Sequence, residues 1–149
     1  MIKYLRIPKG DNVLLELAFD VRTDVFIVEQ KVEPAMEMDE YDATANHYLA
    51  LDDDKPVATA RWRQIGDKIK LERFAVDAAY RNKGVGGKIL AMVLKDVLPL
   101  NKYTYLHAQL KAVDFYSRQG FVKEGDIFLE CDIEHYNMYY LKSANTQLG

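Results

Sequence analysis

Apolar side chains recur along this chain at two periods, and the switches between them mark its elements. Residues 2–7 read as a short strand, stopped near Pro8 and Gly10. Asp11 or Asn12 then offers a helix cap, and Leu14, Leu17, Ala18, Val21 and Val25 form the apolar stripe of an amphipathic helix. Residues 29–44 lose all period. They hold Pro34 and the acidic side chains Glu29, Glu33, Glu37, Asp39, Glu40 and Asp42. Strands are predicted over 47–51, 57–65 and 68–76, joined by a turn at 52–56 and a tight connection at Gly66 and Asp67. A helix over 84–98 carries Ile89, Leu90, Met92, Val93, Leu94 and Val97 and ends before Pro99. A strand over 103–110 follows, then a short helix over 111–119 with Gly120 just past its end. Strands over 127–131 and 135–141 close the chain, and the polar tail 142–149 is expected to fray.

The strand over 68–76 changes phase. Ile69 and Leu71 are apolar at odd positions, Phe74 and Val76 at even ones. A slip of one residue would turn every side chain over. A β-bulge near Glu72 and Arg73 resolves the conflict, and bulges serve where a strand must be re-aimed.

Composition narrows the classes. A chain of 149 residues, 49% of them hydrophobic, fits one domain with a real core. Its net charge of −3 argues against a nucleic-acid footprint. One cysteine, Cys131, excludes an internal disulfide and fits a reducing, cytoplasmic compartment. No run is long and apolar enough to span a membrane, and no leader pattern is present. Three scattered histidines and one cysteine make no metal site. A monomer or a homodimer fits equally well.

The most informative chemistry lies at 81–88. Arg81, Asn82, Lys83, Gly84, Val85, Gly86, Gly87 and Lys88 follow the strand residues Phe74, Ala75 and Val76, and a helix starts at once behind them. Free N–H groups at a helix start, with its dipole, make an anion site. Glycines let a phosphate approach the backbone, and the three basic residues add charge. A P-loop is excluded, because Ile89 follows Lys88 where a hydroxyl must stand. A dinucleotide fingerprint fails too, since Ile89 also takes the place of its third glycine. The pattern that fits is R-x-x-G-x-G-G. The alternative is a basic helix start with no ligand.

This turn resembles the acyl-CoA-binding turn of the GNAT N-acetyltransferase superfamily. A second signature stands downstream: Gln109, Ala112, Phe115, Tyr116, Gly120 and Phe121 match N-x-x-A-x-x-[FL]-Y-x-x-x-G-F everywhere except at Gln109, which replaces Asn. Residues 21–30 look like the opening segment of the ElaA-type branch. The resemblance covers roughly residues 14–141. It implies one GNAT domain over 1–149, an α/β (α+β) fold whose mixed, mostly antiparallel sheet is flanked by helices and splays at the bulged strand 68–76.

The activity implied is transfer of an acetyl group from acetyl-CoA to a primary amine by direct attack, with no acyl-enzyme. The partners implied are acetyl-CoA and an amine acceptor, with no nucleic acid and no membrane. Backbone N–H groups near Phe74, Ala75 or Val76 would polarise the thioester. Residues 81–88 would hold the pyrophosphate, and Gln109 would take the amide role of Asn. Tyr116 would assist departure of the thiolate. An unperturbed phenol titrates near ~10, close enough to a thiol to serve as donor, and if an alkaline limb of the pH–rate profile reports this phenol, Tyr116→Phe should lose it. The alternative for Tyr116 is an aromatic core residue. Glu72, beside the bulge, is the candidate base, or else an ion-pair partner of Lys70 or Arg73. His107 and His135 have suitable chemistry, but a lone histidine in a strand is usually structural. Cys131 reads as packing in a closing strand. The acidic stretch 29–42 either walls the acceptor site, favouring a small cationic amine, or is a solvated loop. Two other readings stay open: a protein lysine or N-terminus as acceptor, and a catalytically silent acyl-CoA-binding module.

Overall fold

In the structure, a computed structural model that describes residues 1–143, Asp11 is the cap of the first helix. Its Oδ1 accepts from the Leu14 N–H at 3.0 Å, satisfying one orphan donor of the first turn. Strand β1 (Ile2–Arg6) precedes this cap, and α1 (Asn12–Arg22) follows it. The coil then widens to a π-helical stretch, Thr23–Glu29, closed by Gln30 N–H on the Val25 carbonyl at 3.1 Å. The expected irregular segment holds two short turns of helix, α2 (Pro34–Glu37) and a 3-10 turn at Glu40–Ala43. The rest runs β2 (Asn46–Asp52), β3 (Lys55–Ile65), β4 (Lys68–Val76), α3 (Val85–Val97), β5 (Tyr103–Gln109), α4 (Val113–Arg118), β6 (Phe121–Glu130) and β7 (Ile133–Tyr140). Most of the tail expected to fray, 144–149, lies outside the described residues.

The chain forms two compact units: Met1–Arg63 with Arg73–Val93, and Gln64–Glu72 with the chain from Leu94 onward. In the first, β1, β2 and β3 pair in order, β1 with β2 and β2 with β3 antiparallel. Leu49, Ala50, Val57, Ala58, Val85, Ile89 and Leu90 are buried there. In the second, β4 pairs parallel with β5, and β7 lies antiparallel between β5 and β6. Strand β4 belongs to both, so the sheet reads β1-β2-β3-β4-β5-β7-β6, mixed but mostly antiparallel. No helix among the described residues is long and apolar enough to cross a membrane.

Two expectations need correction. Strand β6 begins at Phe121, six residues earlier than 127. The polar run 123–126 hid it, because a register irregularity between Glu124 and Phe128, with Gly125 at φ +76°, breaks the alternation there. Cys131 is not in a strand. Cys131 and Asp132 take φ +52° and +60°, the two central positions of a type I′ hairpin turn between β6 and β7.

The bulge in β4 falls where the phase change puts it. Arg73 has φ +56°, and the ladder between β4 and β5 ends at Leu71 and Leu106. A non-glycine residue in this conformation costs roughly 1–2 kcal/mol, so something must hold it. Arg73 Nε donates to Glu37 Oε2 at 2.8 Å, and its Nη2 donates to the Glu37 carbonyl at 3.0 Å and to Asp39 Oδ2 at 3.2 Å. Glu37 also accepts from Arg22 Nε at 2.7 Å, and Asp42 accepts from Nη1 of Arg22 and of Arg61, each at 2.7 Å. Arg61 closes the network with a bidentate pair to Asp39 at 2.7 and 2.7 Å. Arg22 and Arg61 are each 1% exposed. Three guanidinium groups thus meet three carboxylates, and α1, the acidic segment, β3 and the bulge are tied together.

Removing one partner of such a buried network leaves uncompensated charge. Arg22→Met is therefore expected to cost about 3–5 kcal/mol, read from urea unfolding at pH 7. The network also sets an acid limit. Burial alone would push the Asp39 carboxyl up, but the hydrogen bonds and charge of Arg61, then Arg73, hold it at about 2. Asp42 is likewise lowered, Arg22 and Arg61 outweighing its burial. An unfolded aspartate titrates near ~3.9, so the unfolded chain takes up these protons first. Stability present above about pH 4 is expected to drain away toward pH 2. Arg61→Met should flatten that slope as well as lower stability at neutral pH, and thermal unfolding across pH 2–7 checks both.

Candidate active site

In the first unit, the chain leaves β4 with Ala75 packed against Val21 and Val25, and with Phe74 and Val76 half-buried. The Val76 carbonyl accepts from Arg81 Nε at 3.0 Å, which bends the following segment back against the strand end. Asp77 caps a short 3-10 turn, Ala78–Tyr80, through the Ala79 N–H. The turn over 81–88 then contains two left-handed residues, Asn82 at φ +62° and Gly84 at φ +82°. Asn tolerates this conformation through its short polar side chain, and glycine takes it without strain. Lys88 N–H on the Gly84 carbonyl at 3.1 Å is the first helical hydrogen bond of α3. The amides of Val85, Gly86 and Gly87 therefore precede the helical ladder and carry the positive end of the helix dipole. Val85 is 1% exposed and packs into the core beneath the turn. Asn82, Lys83, Gly84 and Lys88 are exposed. Left-handed residues, helix-start amides outside the ladder and two exposed lysines are the parts from which anion-binding concavities are built.

Arg81 also has a partner within the protein. Its guanidinium makes a bidentate pair with Glu29 at 2.7 and 2.7 Å. Both groups are about a third exposed, and such surface pairs contribute at most about 1 kcal/mol. The positive charge left open on the turn is that of Lys83 and Lys88.

The acidic stretch is neither a wall of open carboxylates nor a solvated loop. Glu37, Asp39 and Asp42 are engaged by the three arginines, and Glu29 by Arg81. Glu33 and Glu40 are exposed. The sequence carried one sign of this network: Arg22 sits on the apolar stripe of α1, between Ala18 and Val25, where a charge needs a buried partner.

The second unit holds the other candidates. Glu72 is buried, and its Oε2 lies 3.4 Å from Lys70 Nζ. Gln109 ends β5 opposite His135, half-buried. Tyr116 on α4 is 8% exposed and meets Phe115 and Phe121 edge-on at 5.1 and 5.8 Å. Burial pushes its phenol well above the usual range. This hydroxyl stays protonated throughout any working pH, so an alkaline limb would not report it. His107, Glu130 and His135, which the sequence left apart, come together here. Among the described residues, no group of three or more His, Cys, Asp or Glu side chains is arranged to hold a metal.

The model of the acetyltransferase (GNAT) domain matches residues 16–142. The uncharacterized N-acetyltransferase YjcF of Bacillus subtilis (strain 168) is 37% identical over 134 residues, 89% of this chain and 95% of its own. The crystal structure of Escherichia coli ElaA superposes with a TM-score of 0.84 at 28% identity, over 93% of this chain and 99% of that one. That of an acyl-CoA N-acyltransferase from Pseudomonas aeruginosa gives 0.82 at 30% identity, again over 93% and 99%. A domain model that reaches from within α1 to beyond β7, with a relative this similar along nearly its whole length, identifies the chain as a member of the GNAT acetyltransferase family.

Proposed function

We propose that the protein moves an acetyl group from acetyl-CoA to a primary amine by direct attack, with a small cationic amine as acceptor. The observation that carries the acetyl-CoA reading is the turn over 81–88. It joins a left-handed glycine, three helix-start amides and two exposed lysines directly behind a bulged strand. The similarity to an acyl-CoA N-acyltransferase supports the same donor. In this reading Lys83, Gly84, Val85, Gly86, Gly87 and Lys88 hold the pyrophosphate, with Asn82 shaping the turn. Arg81 exchanges its exposed pair with Glu29 for phosphate. Pantetheine pairs with the backbone of Phe74, Ala75 and Val76, one of whose N–H groups polarises the thioester carbonyl. Gln109 orients the acyl chain. A cationic acceptor is supported by Glu130, whose side chain is 42% exposed.

Tyr116 assists the leaving thiolate. A phenol raised by burial is a poor source of a proton for a thiol, whose own value is near ~8.5. It is well suited to donate a hydrogen bond to developing negative charge, because it never ionises itself. Glu72, held by Lys70, contributes negative charge near the acceptor.

Gly86→Asp places bulk and negative charge in the first turn of α3. CoA binding is expected to weaken by about 2 kcal/mol or more, through donors blocked by the new side chain and added repulsion. An unchanged dissociation constant by calorimetry, with the fold intact, contradicts the phosphate site. Tyr116→Phe keeps the ring and its packing. Loss of a hydrogen bond made in the transition state should lower kcat by about 10²-fold or more, with acetyl-CoA affinity nearly unchanged and no basic limb removed. Turnover within twofold of the parent makes Tyr116 a core aromatic. Cys131→Ala should retain most of the turnover, since direct attack needs no thiol. An acetylated Cys131 on the way to product, seen by mass spectrometry, refutes direct attack.

A further inference from the structure

The sheet of the second unit has two unlike faces. Cross-strand partners place Leu71, Leu106, Met138 and Phe121 on one of them, and α4 covers it through the contact of Tyr116 with Phe121. Alternation puts Glu72, His107, Gln109, His135 and Glu130 on the other. His107 follows directly on Leu106, the last β5 residue in the ladder with β4, so it stands where the two strands stop pairing.

Three histidines are present, and their partners differ. The His47 ring spends Nε2 on the Asp42 carbonyl at 2.9 Å and is buried. The His135 ring spends Nδ1 on the Ile133 carbonyl at 2.6 Å and is also buried. Both are anchored to backbone. His107 Nδ1 instead lies 2.9 Å from Glu130 Oε1. The hydrogen bond to His107 is the main reason the Glu130 carboxyl is held at about 2, against burial and with help from Lys70 and His135. An ionised carboxylate can only accept, so Nδ1 carries the hydrogen and Nε2 of the neutral ring carries the lone pair. Phe128 meets the ring edge-on at 4.9 Å, which fixes its plane. Among the described residues nothing pairs with His107 Nε2, and no buried polar side-chain atom is left unpaired, so Nε2 is open to solvent.

We propose that His107 is the general base for the acceptor amine, with Glu130 as the residue that positions it. This rests on the acetyl-transfer reading. Nε2 takes one proton from the acceptor ammonium and passes it to solvent after the cycle. The freed amine forms the N–C bond, and the C–S bond breaks. The second proton lost by nitrogen ends on the departing sulfur, giving the amide and CoA thiol. Lys70 and Glu72 on β4, Tyr105 on β5, Glu124 and Glu130 on β6 and His135 on β7 share this face and set the charge around the ring. Glu72 is the weaker candidate, because it is buried and engaged by Lys70, whereas the His107 side chain is 24% exposed.

His107→Asn tests the base, since the amide nitrogen of Asn replaces Nδ1 and keeps the bond to Glu130 while Nε2 is removed. The assay is CoA release across a panel of amines from pH 5 to 9, with acetyl-CoA affinity and thermal stability measured alongside. The expected result is a loss of kcat/KM of about 10²–10⁴-fold and of the acid limb of its profile, with affinity and stability unchanged. Glu130→Gln should cost less, because its Oε1 still accepts from Nδ1, and nitrogen-15 shifts of that variant should show the His107 tautomers mixed once the acceptor-only carboxylate is gone. A purely structural pair would leave both kcat/KM and the tautomer unchanged. An active parent whose His107→Asn variant keeps kcat/KM within twofold overturns the base alone. A parent that binds acetyl-CoA and acetylates no amine overturns the transfer reading and the base with it. Nitrogen-15 shifts of the parent give a readout without any acceptor: a neutral His107 with its hydrogen on Nδ1 agrees, and one with its hydrogen on Nε2 overturns the proposal.

Discussion

Three arginines and three carboxylates, four of the six buried, form one network that holds the strained point of the first unit. Arg73 sits left-handed at the bulge of β4, and its side chain is anchored by Glu37 and Asp39. Those carboxylates are in turn fixed by Arg22 from α1 and Arg61 from β3. Desolvating six charges is costly, and networks of this kind often add little net stability over apolar packing. What they add is geometry. Paired charges have few arrangements that satisfy every donor, and among the described residues no buried polar side-chain atom lacks a partner. The acidic segment, which reads as open loop chemistry, is thus consumed in holding a strand end at its angle.

In the acetyl-CoA reading the chemistry then falls mostly to backbone. Past the bulge, the segment from Phe74 to Val76 leads into a turn whose conformation Asn82 and Gly84 make possible. Helix α3 starts with amides outside its hydrogen-bond ladder, and Val85 plugs the core there. Side chains add charge at Lys83 and Lys88 but do not shape the cradle. A site built this way tolerates wide variation in sequence, because an N–H group is the same on every residue except proline.

Environment separates residues that are chemically alike. Tyr116 is one of ten tyrosines, yet its burial raises its phenol and keeps it a donor. The buried histidines bind carbonyls and are fixed, whereas His107 meets a carboxylate that leaves its second nitrogen to solvent. Glu130, held at about 2 by that contact, stays charged at every working pH and keeps the ring in one tautomer.

Local pattern determined much of this protein. Period changes located most elements. The phase conflict between Leu71 and Phe74 located the bulge, because side chains on a strand cannot change face without an extra residue. The glycine turn and the spacing from Gln109 to Gly120 pointed to the family, because backbone approach to a phosphate demands those residue types in that order. Tertiary structure alone decided the partners. Glu37, Asp39 and Asp42 looked the same as Glu33 and Glu40 until the fold brought Arg22, Arg61 and Arg73 to them. His107 and Glu130 are twenty-three residues apart and meet only through the β5, β7 and β6 register, which the irregularity at Glu124–Phe128 concealed. Alternation and turn chemistry act between neighbours in the chain. Charge pairing acts through space, at distances that only the folded sheet sets.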